Sequence, residues 1–143
     1  MLSGDEINSI LEEKPDFIGC FARNELPQVS QPCSFIVNTD SSDKSGSHWL
    51  AIVLRQETAL YFDSFGLPIL EPDIKNYLSQ YYSYVIYNTE CIQDTLSVNC
   101  GYYCAAFIKQ VQSVEDFSIF VNKFSFINPK LNDKIVMQML QRK

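Results

Sequence analysis

One histidine, one tryptophan and five glycines in 143 residues narrow the chemistry open to this chain. With His48 alone, imidazole chemistry has a single place to occur. The five cysteines (Cys20, Cys33, Cys91, Cys100, Cys104) contain no Cys-x-x-Cys pair. Beside one histidine, that makes a poor match to a structural zinc site, so neither metal nor cofactor is expected. Their odd number and irregular spacing also fail to make a disulfide framework, and thiols that are neither bridged nor metal-bound fit a reducing compartment. The apolar run Trp49–Leu54 is six residues long, against roughly 20 for a membrane-spanning helix. No basic region leads into an apolar stretch at the N-terminus. The expectation is a soluble, intracellular chain with no membrane partner.

Hydrophobic residues at 46% and charged residues at 20% are an ordinary globular balance. The length suits one domain over residues 1–143 and one core, and a monomer is expected. No repeat, low-complexity tract or linker interrupts it. The net charge of −6 is unevenly spread: residues 123–143 hold Lys123, Lys130, Lys134, Arg142 and Lys143 against Asp133, a net +4 that leaves −10 on residues 1–122. An acidic chain is poorly suited to gripping phosphate backbones. The basic tail reads either as an anion contact or, more commonly, as cations closing a helix C-terminus.

Ser3-Gly4-Asp5-Glu6 is a capping box ahead of Ile7, Ile10 and Leu11, predicting a helix that stops before Pro15. Cys33–Asn38 alternates as a strand does, and Asp40–Ser47 is a polar loop ending at His48. Trp49–Leu54 reads as a buried strand, Arg55–Thr58 as a turn and Ala59–Asp63 as the returning strand. Glu71–Gln80 is helical with Pro72 in its first turn, and Tyr81–Tyr87 is an aromatic strand. A helix with Cys104, Phe107, Ile108 and Val111 inward follows. Two more amphipathic helices come after it, the first carrying Phe117, Phe120, Val121 and Phe124, the second Leu131, Ile135, Val136 and Met139. This order predicts an α+β fold: a small mixed or antiparallel sheet flanked by helices.

A thiol, an imidazole and a carboxylate are the parts of an activated-cysteine hydrolase. If Leu54 faces Ala59 in the hairpin, His48 lies opposite Phe65, and Asp63 is its diagonal neighbour on the same sheet face. Asp63 is then either the partner of His48 or a strand-end carboxylate in solvent. Cys100 opens a helix, with Ser97 and Asn99 available as caps. A helix N-terminus and a neighbouring imidazolium favour a thiolate, although a cysteine in an apolar helix is by default structural. Gly101 lets a substrate backbone approach closely, while Cys104, one turn on, belongs to the core. Gln93 is either a surface glutamine or an amide that joins the Cys100 N–H in holding an oxyanion. Trp49 either shields the base beside substrate or begins a core strand.

Together these residues resemble the adenovirus protease (adenain) family of cysteine endopeptidases. Phe35–Thr39, a polar loop and Gly46-Ser-His-Trp-Leu50 resemble the family's histidine segment. Tyr61-Phe-Asp-Ser-Phe-Gly66 resembles its acidic segment, with Asp63 where many members have Glu. Gln93 through Asn99-Cys-Gly-Tyr-Tyr-Cys104 resembles its glutamine and nucleophile region, the likeness extending over residues 17–110. The resemblance implies an adenain-like protease fold and an enzyme that cleaves viral precursor proteins at glycine-containing sites during virion maturation. Cys100 is then the nucleophile, His48 the base, Asp63 its orienting partner and Gln93 an oxyanion donor, with Trp49 and Gly101 at the substrate. A viral source would place the protein in the virion and the host nucleus or cytoplasm. The more distant proteases of ubiquitin-like modifiers share the order His, Asp, Gln, Cys, so a deconjugating protease and a silent module binding glycine tails are the alternatives. Adenoviral enzymes are basic, stimulated by DNA and disulfide-linked to a viral peptide. This chain is acidic and shorter, so DNA activation is not expected, the need for a peptide activator is open, and Cys91 is given no such role.

Overall fold

The computed structural model describes residues 1–29, 32–44 and 47–141. Gly46 of the histidine segment, Ser45 of the polar loop, and Arg142 and Lys143 of the basic tail lie outside the described residues. Helix α1 (Gly4–Ile10) is opened by the capping box: Ser3 Oγ accepts from the Glu6 N–H at 3.2 Å, and Glu6 Oε1 accepts from the Ser3 N–H at 3.0 Å.

Five strands follow in one mixed sheet: β1 (Phe17–Ala22), β2 (Cys33–Asn38), β3 (Trp49–Arg55), β4 (Thr58–Phe62) and β5 (Tyr84–Tyr87). They neighbour one another in chain order, the outer pairs parallel and the two inner pairs antiparallel. Helix α2 (Pro72–Tyr81) bridges β4 to β5, and α3 (Cys100–Gln110), α4 (Val114–Val121) and α5 (Asn132–Gln141) complete the chain. This is the expected α+β architecture. One strand, β1, has no counterpart in the sequence reading. Its register slips between Phe17 and Cys20, and Gly19 sits at φ +130°, so its residues show no alternation to read. Tyr81 ends α2 rather than opening β5. Leu131 lies in a 3-10 turn and is exposed rather than packed inward. Lys130 lies in the last turn of a short 3-10 helix (Pro129–Leu131) and Lys134 near the start of α5, so neither closes an α-helix C-terminus; Lys123, just past α4, fits that role.

Strand β3 explains the apolar run. Trp49, Ala51 and Val53 face a core built with α1, α3, α4 and α5, while Leu50, Ile52 and Leu54 face a second core closed by Ile74 and Leu78 of α2. A central strand covered on both faces reads as continuous hydrophobicity. In the first core Phe107 of α3 stacks on Phe62 of β4 at 4.8 Å, and Phe117 and Phe120 meet Phe107 edge-on. That packing seats α3 across the sheet and sets its first residue, Cys100, near the end of the strands where β3 begins and β4 ends.

Candidate active site

The hairpin has the register counted from sequence: Leu54 pairs with Ala59 and Ala51 with Phe62. His48 and Asp63 each stand one residue beyond the paired strands, and they meet: His48 Nε2 lies 2.8 Å from Asp63 Oδ1. A carboxylate only accepts, so Nε2 carries the hydrogen. The imidazole stacks on Phe65 at 4.8 Å, and its remaining nitrogen, Nδ1, is left for Cys100, which lies near enough to act on the charge of the ring. Burial pushes the imidazolium down. The hydrogen bonds to Asp63 and Cys100, together with their charges, outweigh it and raise His48 from 6.5 to about 9.

Asp63 is 3% exposed, and its Oδ1 also accepts from the Phe65 N–H at 2.9 Å. Its backbone is held by Asn88, whose Oδ1 accepts from the Asp63 N–H at 3.1 Å and whose Nδ2 donates to the Asp63 carbonyl at 2.7 Å. Buried Asn38 braces the approach to His48 by accepting from the N–H groups of Asp40 and Ser47. Gly66, at φ +68°, closes the turn after Asp63, and a Cβ there would lie 2.6 Å from the Glu90 backbone. Only glycine allows that approach.

Gln93 is no surface residue; it is 1% exposed. Ser64 Oγ donates to its Oε1 at 2.5 Å, and its Nε2 donates to the Ser97 carbonyl at 2.9 Å. Because that carbonyl can only accept, the amide orientation is fixed, and among the described residues one Nε2 hydrogen has no acceptor. Ser64 also accepts, through its carbonyl, the N–H groups of Ile92 and Gln93 at 2.9 and 3.0 Å. Cys100 is 2% exposed at the first position of α3. The cap differs from expectation. Asn99 makes no side-chain cap, since its Nδ2 donates instead to Asp133 at 3.0 Å. Among the described residues nothing accepts the Cys100 backbone N–H, which leaves it available to an oxyanion.

Trp49 and Gly101 lie under the first residues of the chain. Trp49 is nearly buried, and its Nε1 donates to the Leu2 carbonyl at 2.9 Å. Gly101 is buried as well, and a Cβ there would meet Leu2 Cβ at 3.1 Å and Ile7 Cδ1 at 3.3 Å. The close backbone approach that Gly101 permits is therefore made by this chain's own N-terminal residues, and both positions lie under them rather than open to substrate. Cys104 is core, as its place on the apolar face implied: its thiol donates to the Trp49 carbonyl at 3.3 Å, and burial pushes it well up. Burial also pushes Cys20 up to about 12 and Cys33 and Cys91 upward. Asn38, Ser64, Asn88 and Asp133 were not singled out from sequence. Ser64 alone had a visible signal, its place inside the Asp63–Gly66 motif. Among the described residues no cluster of histidine, cysteine and carboxylates fit for a metal is present, and no helix is long and apolar enough to cross a membrane.

No protein-family model matches the sequence. A protease of Porcine adenovirus A serotype 3 is 27% identical over 130 residues, covering 73% of this chain and 61% of that protein. In fold the chain is similar to a crystal structure of an ASFV protease, with a TM-score of 0.54 and 17% identity over 87% of this chain and 63% of the other. It is also similar to AvrA, solved with IP6 and CoA, with a TM-score of 0.50 and 17% identity over 74% and 46% of the two chains. The chain thus spans less than two thirds of the length of the adenoviral relative it matches. The resemblance to the adenovirus protease family carried by the three motifs is borne out in sequence by an adenoviral protease, and the α+β fold is that of protease structures.

Proposed function

We propose that this chain is a cysteine endopeptidase that cleaves viral precursor proteins at glycine-containing sites during virion maturation. The observation that supports it best is the placement of His48 between buried Asp63 and Cys100, with the imidazolium raised to about 9. Cys100 passes its thiol proton to His48 Nδ1 and attacks the scissile carbonyl. The electron pair displaced to oxygen is held by the Cys100 N–H and the free Nε2 hydrogen of Gln93. His48 returns the proton to the leaving amine as the C–N bond breaks, leaving a thioester on Cys100. Water, deprotonated by His48, then hydrolyses the thioester and restores the thiol. Asp63 holds the imidazole in the tautomer that presents Nδ1 to sulfur. The glycine preference rests on the family resemblance.

The test is a side-by-side digestion of glycine-containing precursor proteins, ubiquitin-like modifier conjugates and peptides lacking glycine. Cleavage of the precursors alone supports the proposal. Release of modifiers alone makes the chain a deconjugating protease, and binding of glycine tails without cleavage makes it a silent module. Brief iodoacetamide treatment near pH 6 should label Cys100 ahead of the four thiols that burial pushes up. The −10 on residues 1–122 opposes phosphate backbones, so duplex DNA should change cleavage less than about twofold.

A further inference from the structure

Residues 88–99 carry Gln93 and lead into Cys100, yet they belong to no helix or strand. What holds them in place comes from the start of α5. The Asp133 carboxylate accepts from three side chains of one neighbourhood: Ser97 Oγ at 3.0 and 3.2 Å, Asn99 Nδ2 at 3.0 Å and Tyr103 Oη at 2.8 Å. Ser97 Oγ in turn accepts the Asn99 N–H at 3.2 Å, and the Ser97 carbonyl accepts from Gln93 Nε2. The preceding residue, fully buried Asn132, donates from Nδ2 to the Ile92 carbonyl at 2.7 Å and to the Ser125 carbonyl at 2.8 Å. One carboxylate therefore ties down the residue before the nucleophile, the first turn of its helix and the carbonyl that orients the Gln93 amide.

We infer that Asp133 is a positioning residue for the oxyanion site, fixing through Ser97 and Asn99 the distance between the Gln93 amide and the Cys100 N–H. Charge-assisted hydrogen bonds are the stronger kind, and the carboxylate gains further from its place in the first turn of α5. Asp133 is the only acidic residue among residues 123–143; here it has a specific use. The inference rests on the hydrolase reading above, and it deepens it by making α5 part of the catalytic apparatus although no residue of α5 reaches the reacting atoms.

The experiment compares the full chain with Asp133→Ala and Ser97→Ala on a glycine-containing peptide. It also measures binding of a peptide aldehyde and the rate of iodoacetamide alkylation at Cys100. The aldehyde adds to sulfur and places an oxygen where the oxyanion forms, whereas alkylation consults only the thiol and His48. A displacement of about 1 Å remote from the chemistry costs up to about 10² in rate. Asp133→Ala should therefore lower kcat and aldehyde affinity together by about that factor, with KM and the alkylation rate within about twofold. Ser97→Ala should do the same to a smaller extent, and it answers the question if Asp133→Ala does not fold. Unchanged kcat and aldehyde affinity in both variants overturn the inference. So does a parallel fall in alkylation, which would make Asp133 a general support of the fold. A parent chain that neither cleaves nor captures the aldehyde overturns the hydrolase reading and this inference with it; an active parent with unaffected variants overturns the inference alone.

Discussion

His48 and Asp63 stand one residue past β3 and β4, where pairing with β2 holds β3 as far as Trp49 and pairing with β3 holds β4 as far as Phe62, whereas Gln93 and Cys100 depend on a stretch that no ladder holds. In the first half the geometry is set by main-chain pairing, which every residue of β3 and β4 shares. In the second it is set by single side chains: Ser64 on Gln93, Asp133 on Ser97 and Asn99, Asn132 on Ile92. The two halves are joined at one seam, where Asn88 binds the Asp63 backbone and the Ser64 carbonyl takes the Ile92 and Gln93 N–H groups. A ladder distributes its strength over many bonds. A set of side-chain tethers concentrates it, so point changes should act on the two halves in different ways.

The largest effect ignores the division. Cys100→Ala and His48→Ala should each remove nearly all turnover, and the double variant should be no worse than either, because the two act as one unit. Peptide cleavage with the melting temperature measured alongside checks this; a turnover left within tenfold of the parent would dismantle the dyad.

Asp63→Asn should cost less, because the ladder still delivers His48 to its place and only the tautomer and charge are lost. Its signature is the imidazole titration. The raised pKa of His48 means that its contribution to stability is fully present below about pH 6.5 and is lost as pH rises through about 9. Removing the Asp63 charge leaves burial less opposed, so NMR should find the His48 titration well below that of the parent. An unmoved titration would deny the carboxylate its part.

Gln93→Ala falls on the tethered half, and kcat should drop by about 10²–10³ if the amide donates to the oxyanion. The same change leaves the buried Ser64 hydroxyl without its partner, at about 1–3 kcal/mol, and strands the half-buried Ser97 carbonyl at a smaller cost. Activity and stability should therefore fall together here, and the stability loss should not follow the His48 titration as it does in Asp63→Asn. Intact kcat with lowered stability would reduce Gln93 to a structural residue.

The same division marks what was legible in the sequence. The β3–β4 register follows from pairing Leu54 with Ala59; the turn read as Arg55–Thr58 is the tighter Gln56-Glu57, and a symmetric loop of two or four residues keeps the same pairing. Cys100 and Gln93 were legible through motif spacing. Their supports were not: Asp133 lies 36 residues from Ser97 and Asn88 lies 25 from Asp63. A hydrogen bond across that span leaves no period, cap or composition in the chain. Strand β1 was missed for a related reason, since its bulge and Gly19 replace alternation with irregularity. The contacts of Trp49 and Gly101 with Leu2 were not legible either, because nothing local states that the first residues of the chain fold back over them.

That last point gives the smallest expected effect. If Gly101 serves Leu2 rather than substrate, Gly101→Ala brings a methyl to 3.1 Å from Leu2 Cβ and 3.2 Å from its Cδ1. Leu2 is only half-buried and gives way more easily than core would, and alanine recovers up to about 1 kcal/mol of helix propensity over glycine. The net loss should lie near the low end of the about 1–3 kcal/mol typical of overpacking. Leu2→Ala in the same chain should restore part of it, so the two changes are non-additive, as contacting residues are. Cleavage should barely move, since neither atom touches the thiol, His48 or the oxyanion donors. A Gly101→Ala variant that melts like the parent but loses KM would mean instead that substrate backbone passes over Gly101 and that Leu2 withdraws to admit it.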